Sequence, residues 1–149
     1  MRQWLLILFF ATNAYSEIGE ISELRGNGEI LRQAGGDKLL AELALDILSY
    51  DSVFTGNGRI AIEFIDESII KLTEHSKIVI DEYIYDPDPS KSKLVLNMAS
   101  GTVRFITGAL GKIDKQNIKI RTPSATVAVR GTDFTTTVDE LGRSLVILL

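Results

Sequence analysis

The feature that most constrains this chain is a two-residue alternation of apolar and polar side chains. It recurs in short runs, cut about every 8–12 residues by turn-forming residues. Over Arg59 to Ile65, residues Ile60, Ile62 and Phe64 share one side, as a half-buried strand requires. Other short strand-like runs, some alternating and some wholly apolar, occupy Ile18 to Arg25, Glu29 to Arg32, Ile69 to Leu72, Lys77 to Asp81, Leu94 to Leu96, Val103 to Ile106, Ile118 to Ile120 and Arg143 to Leu149. Between them lie Gly26-Asn27-Gly28, Gly35-Gly36-Asp37, Gly56-Asn57-Gly58 and Asp66-Glu67-Ser68. No segment keeps a long helical period. The class is therefore all-β, with roughly ten short strands expected. Short strands stepping through sharp corners suit a roll or solenoid-like coil as well as a sandwich.

The stretch Thr122 to Val138 is expected to organise the rest. Pro123 opens it, and Ala125, Val127 and Val129 alternate with Thr126, Ala128 and Arg130. Gly131 interrupts, and Phe134, Thr136 and Val138 resume one register off, the mark of a bulge or tight corner. Arg130 and Asp133 flank that corner, close enough to pair or to bond its backbone. Two other pieces carry weaker signals. Leu39 to Leu48 fits either a helical turn or a buried strand by periodicity alone. The two Gly-Asn-Gly triplets read as hairpins or tight turns, an echo rather than a repeat.

The stretch Thr122-Pro123-Ser124-Ala125-Thr126-Val127-Ala128-Val129-Arg130-Gly131-Thr132-Asp133-Phe134 resembles the signature of the FecR-type domain, found in bacterial envelope proteins. Three upstream steps resemble the family in order: Asp51-Ser52-Val53-Phe54-Thr55, Arg59 to Ser68, and Gly101-Thr102-Val103-Arg104. One departure is Glu67, where the family usually has Gly. Glu is less comfortable at positive φ, so another turn type is expected there. The resemblance implies a short β-solenoid or β-roll, with extended or turn structure over Leu39 to Leu48. It implies a structural role for Arg130, Gly131, Thr132, Asp133 and Phe134, a corner that fixes one geometry.

Met1 to Ser16 reads as a cleaved signal peptide: Arg2 supplies the positive start, Trp4 to Ala11 the apolar run, and Ala14-Tyr15-Ser16 the small residues at the cut. That run is shorter than the roughly 20 residues that span a bilayer. Residues 17–149 are then one domain, large enough to bury a core. The chain has no cysteine, so no disulfide and no thiol chemistry. Its formal net charge is −4 without charge runs, which gives no electrostatic reason to expect nucleic acid or anionic lipid.

Catalytic groups are scarce. His75 is the only histidine and lies in a polar turn, so Cys/His metal sites and nucleophilic triads are hard to assemble. Gly56 to Ala61 mimics a dinucleotide fingerprint, but a strand is expected to follow it, not a helix N-terminus. Asp86 and Asp88 alternate as calcium ligands do, yet Pro87, Pro89 and the lack of a third acid favour a solvated loop. Asp66 and Glu67 read as a solvated hairpin tip. Tyr83 and Tyr85 share a strand face and are the speculative binding pair, able to stack on a sugar or a peptide. No cofactor or metal is implied.

The expected function is a non-enzymatic, exported module, periplasmic or secreted, that binds or scaffolds an envelope protein in signal transduction. The alternative is a cell-wall glycan binder. In longer members the domain forms the periplasmic half of an anti-sigma regulator; that activity is not expected to carry over. Exposed edge strands of such a fold accept a partner strand.

Overall fold

The computed structural model describes residues 17–33, 35–86, 91–109, 118–128 and 133–149. It is all-β: thirteen strands and no α-helix among the described residues. They are β1 (Glu17–Arg25), β2 (Gly28–Leu31), β3 (Lys38–Leu40), β4 (Asp46–Leu48), β5 (Ser52–Thr55), β6 (Arg59–Phe64), β7 (Ile69–Leu72), β8 (Lys77–Ile84), β9 (Lys93–Ile106), β10 (Ile118–Arg121), β11 (Thr126–Ala128), β12 (Asp133–Val138) and β13 (Ser144–Leu148). Their alternating burial, as in Ser52–Thr55 and Asp133–Val138, follows from the two-residue period of the sequence.

All thirteen join in one sheet. Its hub is β9, fourteen residues long, which pairs with four strands. Leu94 to Asn97 pair with β10 in parallel, and Lys93 to Ser100 pair with β8 antiparallel. Gly101 to Ile106 pair with β12, and Val103 to Ile106 with β7. The sheet therefore has two halves that share β9. One runs β4-β1-β6-β7-β9-β12-β13, here the β1 half; the other runs β3-β2-β5-β8-β9-β10-β11, the β2 half.

The halves meet along a crease. Gly26-Asn27 joins β1 to β2, Gly56 to Gly58 joins β5 to β6, and Thr73 to Ser76 joins β7 to β8. Because β1 pairs with β6 and β2 with β5, each Gly-Asn-Gly triplet bends a two-strand ribbon from one half to the other. Of the hairpins or tight turns expected, they are not hairpins but bends, and they pack on each other. The Gly56 N–H donates to the Asn27 carbonyl at 3.2 Å, and a Cβ at Gly58 would sit 2.7 Å from Asn27 N. Only glycine lets the two backbones approach so closely. At the next step along the crease, Gly101 has φ 92° and lies against Ser76.

Folding the sheet on itself brings Ile21, Ile62, Ile70 and Phe105 of the β1 half against Ile30, Ile80 and Leu96 of the β2 half in one core. Each such fully buried side chain contributes about 1.5–3 kcal/mol.

Several expectations are corrected. Leu94–Leu96 and Val103–Ile106 are the ends of one strand; Gly101 bends it without ending it. The hub is β9, not Thr122 to Val138. There β11 is a three-residue strand with Ala125 exposed and Val127 only half-buried, because among the described strands it pairs with β10 alone. Leu39 to Leu48 is extended and turn structure, as the resemblance implies, with β3 and β4 at either side of a turn. Among described strands the one parallel pairing is β9 with β10, so the architecture is an open, curled, mainly antiparallel sheet. The expected signal segment, residues 1–16, and the corner residues Arg130, Gly131 and Thr132 lie outside the described residues.

Candidate functional site

Short polar side chains recur where the chain turns, and several of them are buried. At the β6–β7 hairpin, Asp66 is 3% exposed, not the solvated tip expected. Its Oδ2 accepts from Ser68 Oγ at 2.6 Å, and its Oδ1 accepts from Ser68 N at 3.2 Å and from the Tyr83 hydroxyl at 2.8 Å. Ser68 Oγ in turn accepts the Gly108 N–H at 2.8 Å, and the Ala109 N–H donates to the Asp66 carbonyl at 2.9 Å. One carboxylate thus ties the hairpin to β8 and to the segment leaving β9. Glu67, between the two latch residues, takes φ 68° all the same. The expected change of turn type does not occur, because the bonds on either side hold the left-handed geometry.

At the crease, Thr55 Oγ1 donates to the Thr73 carbonyl at 2.6 Å and accepts the Ser76 N–H at 2.8 Å. Ser76 Oγ accepts the Thr102 N–H at 3.1 Å. At the β4–β5 corner, buried Asp51 accepts the Leu48 N–H at 2.9 Å and pairs with Arg32 at 2.8 Å. Burial pushes the Asp51 carboxyl up, more than the Leu48 amide and Arg32 draw it down. Arg32 also donates to the Asp46 carbonyl at 2.7 Å, which joins the end of β2 to β4 across the two halves.

Of the expected corner, Asp133 and Phe134 are described. Asp133 accepts Arg104 Nε at 2.9 Å in a two-bond fork, and Arg104 holds its carboxyl below the usual range. Phe134 is buried with its ring centroid 5.3 Å from that of Phe105. The two tyrosines do not form an exposed pair. A register shift between Ile80 and Glu82 turns Tyr83 inward, where it is 6% exposed and stacks on Phe64 at 5.0 Å. Tyr85, past the end of β8, is 43% exposed.

His75 is an exposed turn residue. Asp86 caps its loop, its N–H donating to Ser92 Oγ at 3.0 Å, while Asp88 lies outside the described residues. Among the described residues no group of three His, Asp or Glu is placed to hold a metal, and no helix is long and apolar enough to cross a membrane.

Two surface features are not accounted for by these latches. The first is a groove of about 480 Å³ on the outer face of the β1 half, lined among others by Arg25, Arg59, Lys71 and Arg104 with Thr73 and Thr135. The second is β13, an edge strand. Leu149 N donates to the Asp133 carbonyl and Asp139 N to the Arg143 carbonyl, so the inward-bonded positions of β13 are Leu145 and Ile147. The N–H and C=O groups of Ser144, Val146 and Leu148 therefore point away from β12, along an edge that no described strand pairs. Sequence reading foresaw open edges but not which one. The apolar run in Arg143 to Leu149 marks a strand without marking its neighbour.

Compared with known proteins, the chain matches the family described as FecR protein over residues 51–149. No curated protein and no solved structure matches it.

Proposed function

The chain belongs to the FecR family, and from that premise we propose that it is an exported, non-enzymatic module that binds another envelope protein in a signalling role. The family is an envelope-associated regulatory one and not a known enzyme family. The match covers β5 to β13, while β1 to β4 are woven into the same sheet through β1–β6 and β2–β5. The polar residues of the shared steps support a binding role over catalysis. Asp51, Thr55, Asp66, Ser68 and Arg104 bond their own chain at corners and along the crease.

The observation that carries the reading is β13. Among the described residues no strand pairs with its outer edge, and it exposes Leu145, Ile147 and Leu148. An edge of this kind takes a strand from a partner, with main-chain bonds supplying affinity. The glycan alternative loses Tyr83 and Tyr85 as an exposed stacking pair and becomes an outcome of the test.

Cell fractionation and crosslinking from the periplasm test the proposal. The chain is expected in the periplasmic fraction with one defined envelope protein attached. Leu148→Pro removes an outward N–H from the edge and is expected to abolish capture. Recovery in the cytoplasm, or sedimentation with peptidoglycan and no captured protein, overturns it.

A further inference from the structure

We propose that the outer face of the β1 half is a docking surface for an acidic, amphipathic segment of a partner polypeptide. This rests on the module reading above and names the chemistry of the partner.

Among the described residues, four cations and one acid, Glu23, line the groove, while the facing acids Glu20 and Glu63 lie outside it, in a chain whose formal net charge is −4. Positive charge is therefore gathered here against the overall balance. The gathering is in register. Arg25 stands directly opposite Arg59 on β1 and β6, and Lys71 directly opposite Arg104 on β7 and β9. Like charges placed opposite each other on one sheet face destabilise the fold. The Arg25–Arg59 pair is a standing cost that an anionic ligand would relieve, while the Lys71–Arg104 pair is already partly neutralised. Lys71 has a loose partner in Glu23 at 3.7 Å, and Arg104 has Asp133. Among the described residues, Arg25 and Arg59 have no carboxylate at ion-pair distance.

The face does not end at the arginines. In register, Arg104 is followed by Thr135 on β12 and then Ile147 on β13, and Thr102 by Thr137 and then Leu145. Ile147 is 48% and Leu145 59% exposed, on the same side of the sheet as the groove. At the usual strand spacing, Ile147 lies about 10 Å from the Arg104 strand, and the whole face from β1 to β13 is about 24 Å across, or roughly seven extended residues. Guanidinium forks take carboxylates in pairs, and the neighbouring leucine and isoleucine take apolar side chains. A polypeptide that alternates acidic and apolar residues supplies both at the spacing of this face. Among the described residues no aromatic lines the groove, so they provide for neither base stacking nor sugar stacking.

The test uses the purified chain and a synthetic peptide of about nine residues alternating Glu and Leu. Its Lys-for-Glu counterpart, a polyphosphate and a single-stranded oligonucleotide are the comparison probes. The glutamate peptide is expected to bind, more weakly as salt rises. Arg25→Glu with Arg59→Gln is expected to weaken it at least tenfold, and Leu145→Ser with Ile147→Ser to weaken it separately. The charge variant is not expected to lower the melting temperature, since it relieves a like-charge pair, and this separates lost binding from lost fold. Equal binding by the charge variant, equal binding of the lysine peptide, or tighter binding of polyphosphate or oligonucleotide overturns the proposal. If the charge variant still captures an envelope protein in cells, the groove assignment fails and the module reading stands. If the chain is not exported, the module reading fails while the peptide result still judges the groove.

Discussion

The Tyr83 hydroxyl donates to Asp66 Oδ1 at 2.8 Å, so the aromatic residue of β8 secures the hairpin between β6 and β7. Burial pushes the Tyr83 hydroxyl well above its usual range, and the Asp66 charge adds to it. A group whose folded pKa is raised supplies stability that is complete below the unfolded value, about 10 for tyrosine, and is lost as pH rises beyond it. Tyr83→Phe is expected to lower stability by about 1.5–3 kcal/mol at neutral pH, the range for a hydrogen bond to a charged group. The variant is also expected to lose less stability than the parent between about pH 9 and 11. Urea denaturation at the two pH values checks both, and parallel loss in the two proteins would count against the bond.

Gly101 fits where no other residue does. Its φ is 92°, and a Cβ there would lie 2.5 Å from Ser76 Cα and closer still to Ser76 Oγ. Gly101→Ala is therefore expected to cost about 1–3 kcal/mol from the backbone angle alone, with the overlap adding to it. The overlap also pushes on Ser76, whose hydroxyl holds Thr102 across the crease. Chemical denaturation measures the loss; a melting temperature within a degree or two of the parent would show that the crease is not fixed at this point.

The strands were readable because alternation is a direct print of one-sided burial: Ile60, Ile62 and Phe64 are all buried, as their spacing implies. What alternation does not carry is partnership. Nothing local to Leu94–Leu96 and Val103–Ile106 says that they are one strand, because Gly101 looks the same in sequence whether it bends a strand or ends it. Nor do the two Gly-Asn-Gly triplets announce that they lie against each other; that follows from β1 pairing with β6 and β2 with β5. Asp66 was misjudged for a related reason. An Asp-Glu-Ser tip looks solvated by composition, and the donors that bury it come from Tyr83, seventeen residues on, and from the turn itself. The groove was invisible because its arginines come from three strands, with Arg25 and Arg104 far apart in the chain.

Glu67 stores strain at the same hairpin. A non-glycine residue at φ 68° is held there by Asp66 and Ser68 on either side. Releasing the Cβ saves roughly 1–2 kcal/mol, while glycine's extra freedom in the unfolded chain returns about 0.5–1. Glu67→Gly is expected to be stabilising by about 0.5–1 kcal/mol, and Glu67→Val, β-branched, to be destabilising by a similar or larger amount. Thermal denaturation of the two variants side by side decides the matter; a destabilised glycine variant would mean that the Glu67 side chain contributes something the turn geometry does not reveal.

Thr136 presents the opposite case, a polar atom with nothing to bond. It lies on the inner face of β12, opposite Val103 and Val146, and its side chain is buried. Its hydroxyl has no hydrogen-bond partner among the described residues. An unsatisfied buried hydroxyl costs about 1–3 kcal/mol, and replacing it by an apolar group of the same shape removes that cost. Valine keeps the branched outline and the strand preference of threonine. Thr136→Val is therefore expected to stabilise the protein by about 1 kcal/mol or more, with the sheet unchanged by circular dichroism. Thr136→Ser keeps the unsatisfied oxygen and deletes a methyl group from the core, so it is expected to destabilise. If valine instead lowers the denaturation midpoint, the hydroxyl is bonded in solution, and the inner face of β12 is wetter than its packing implies.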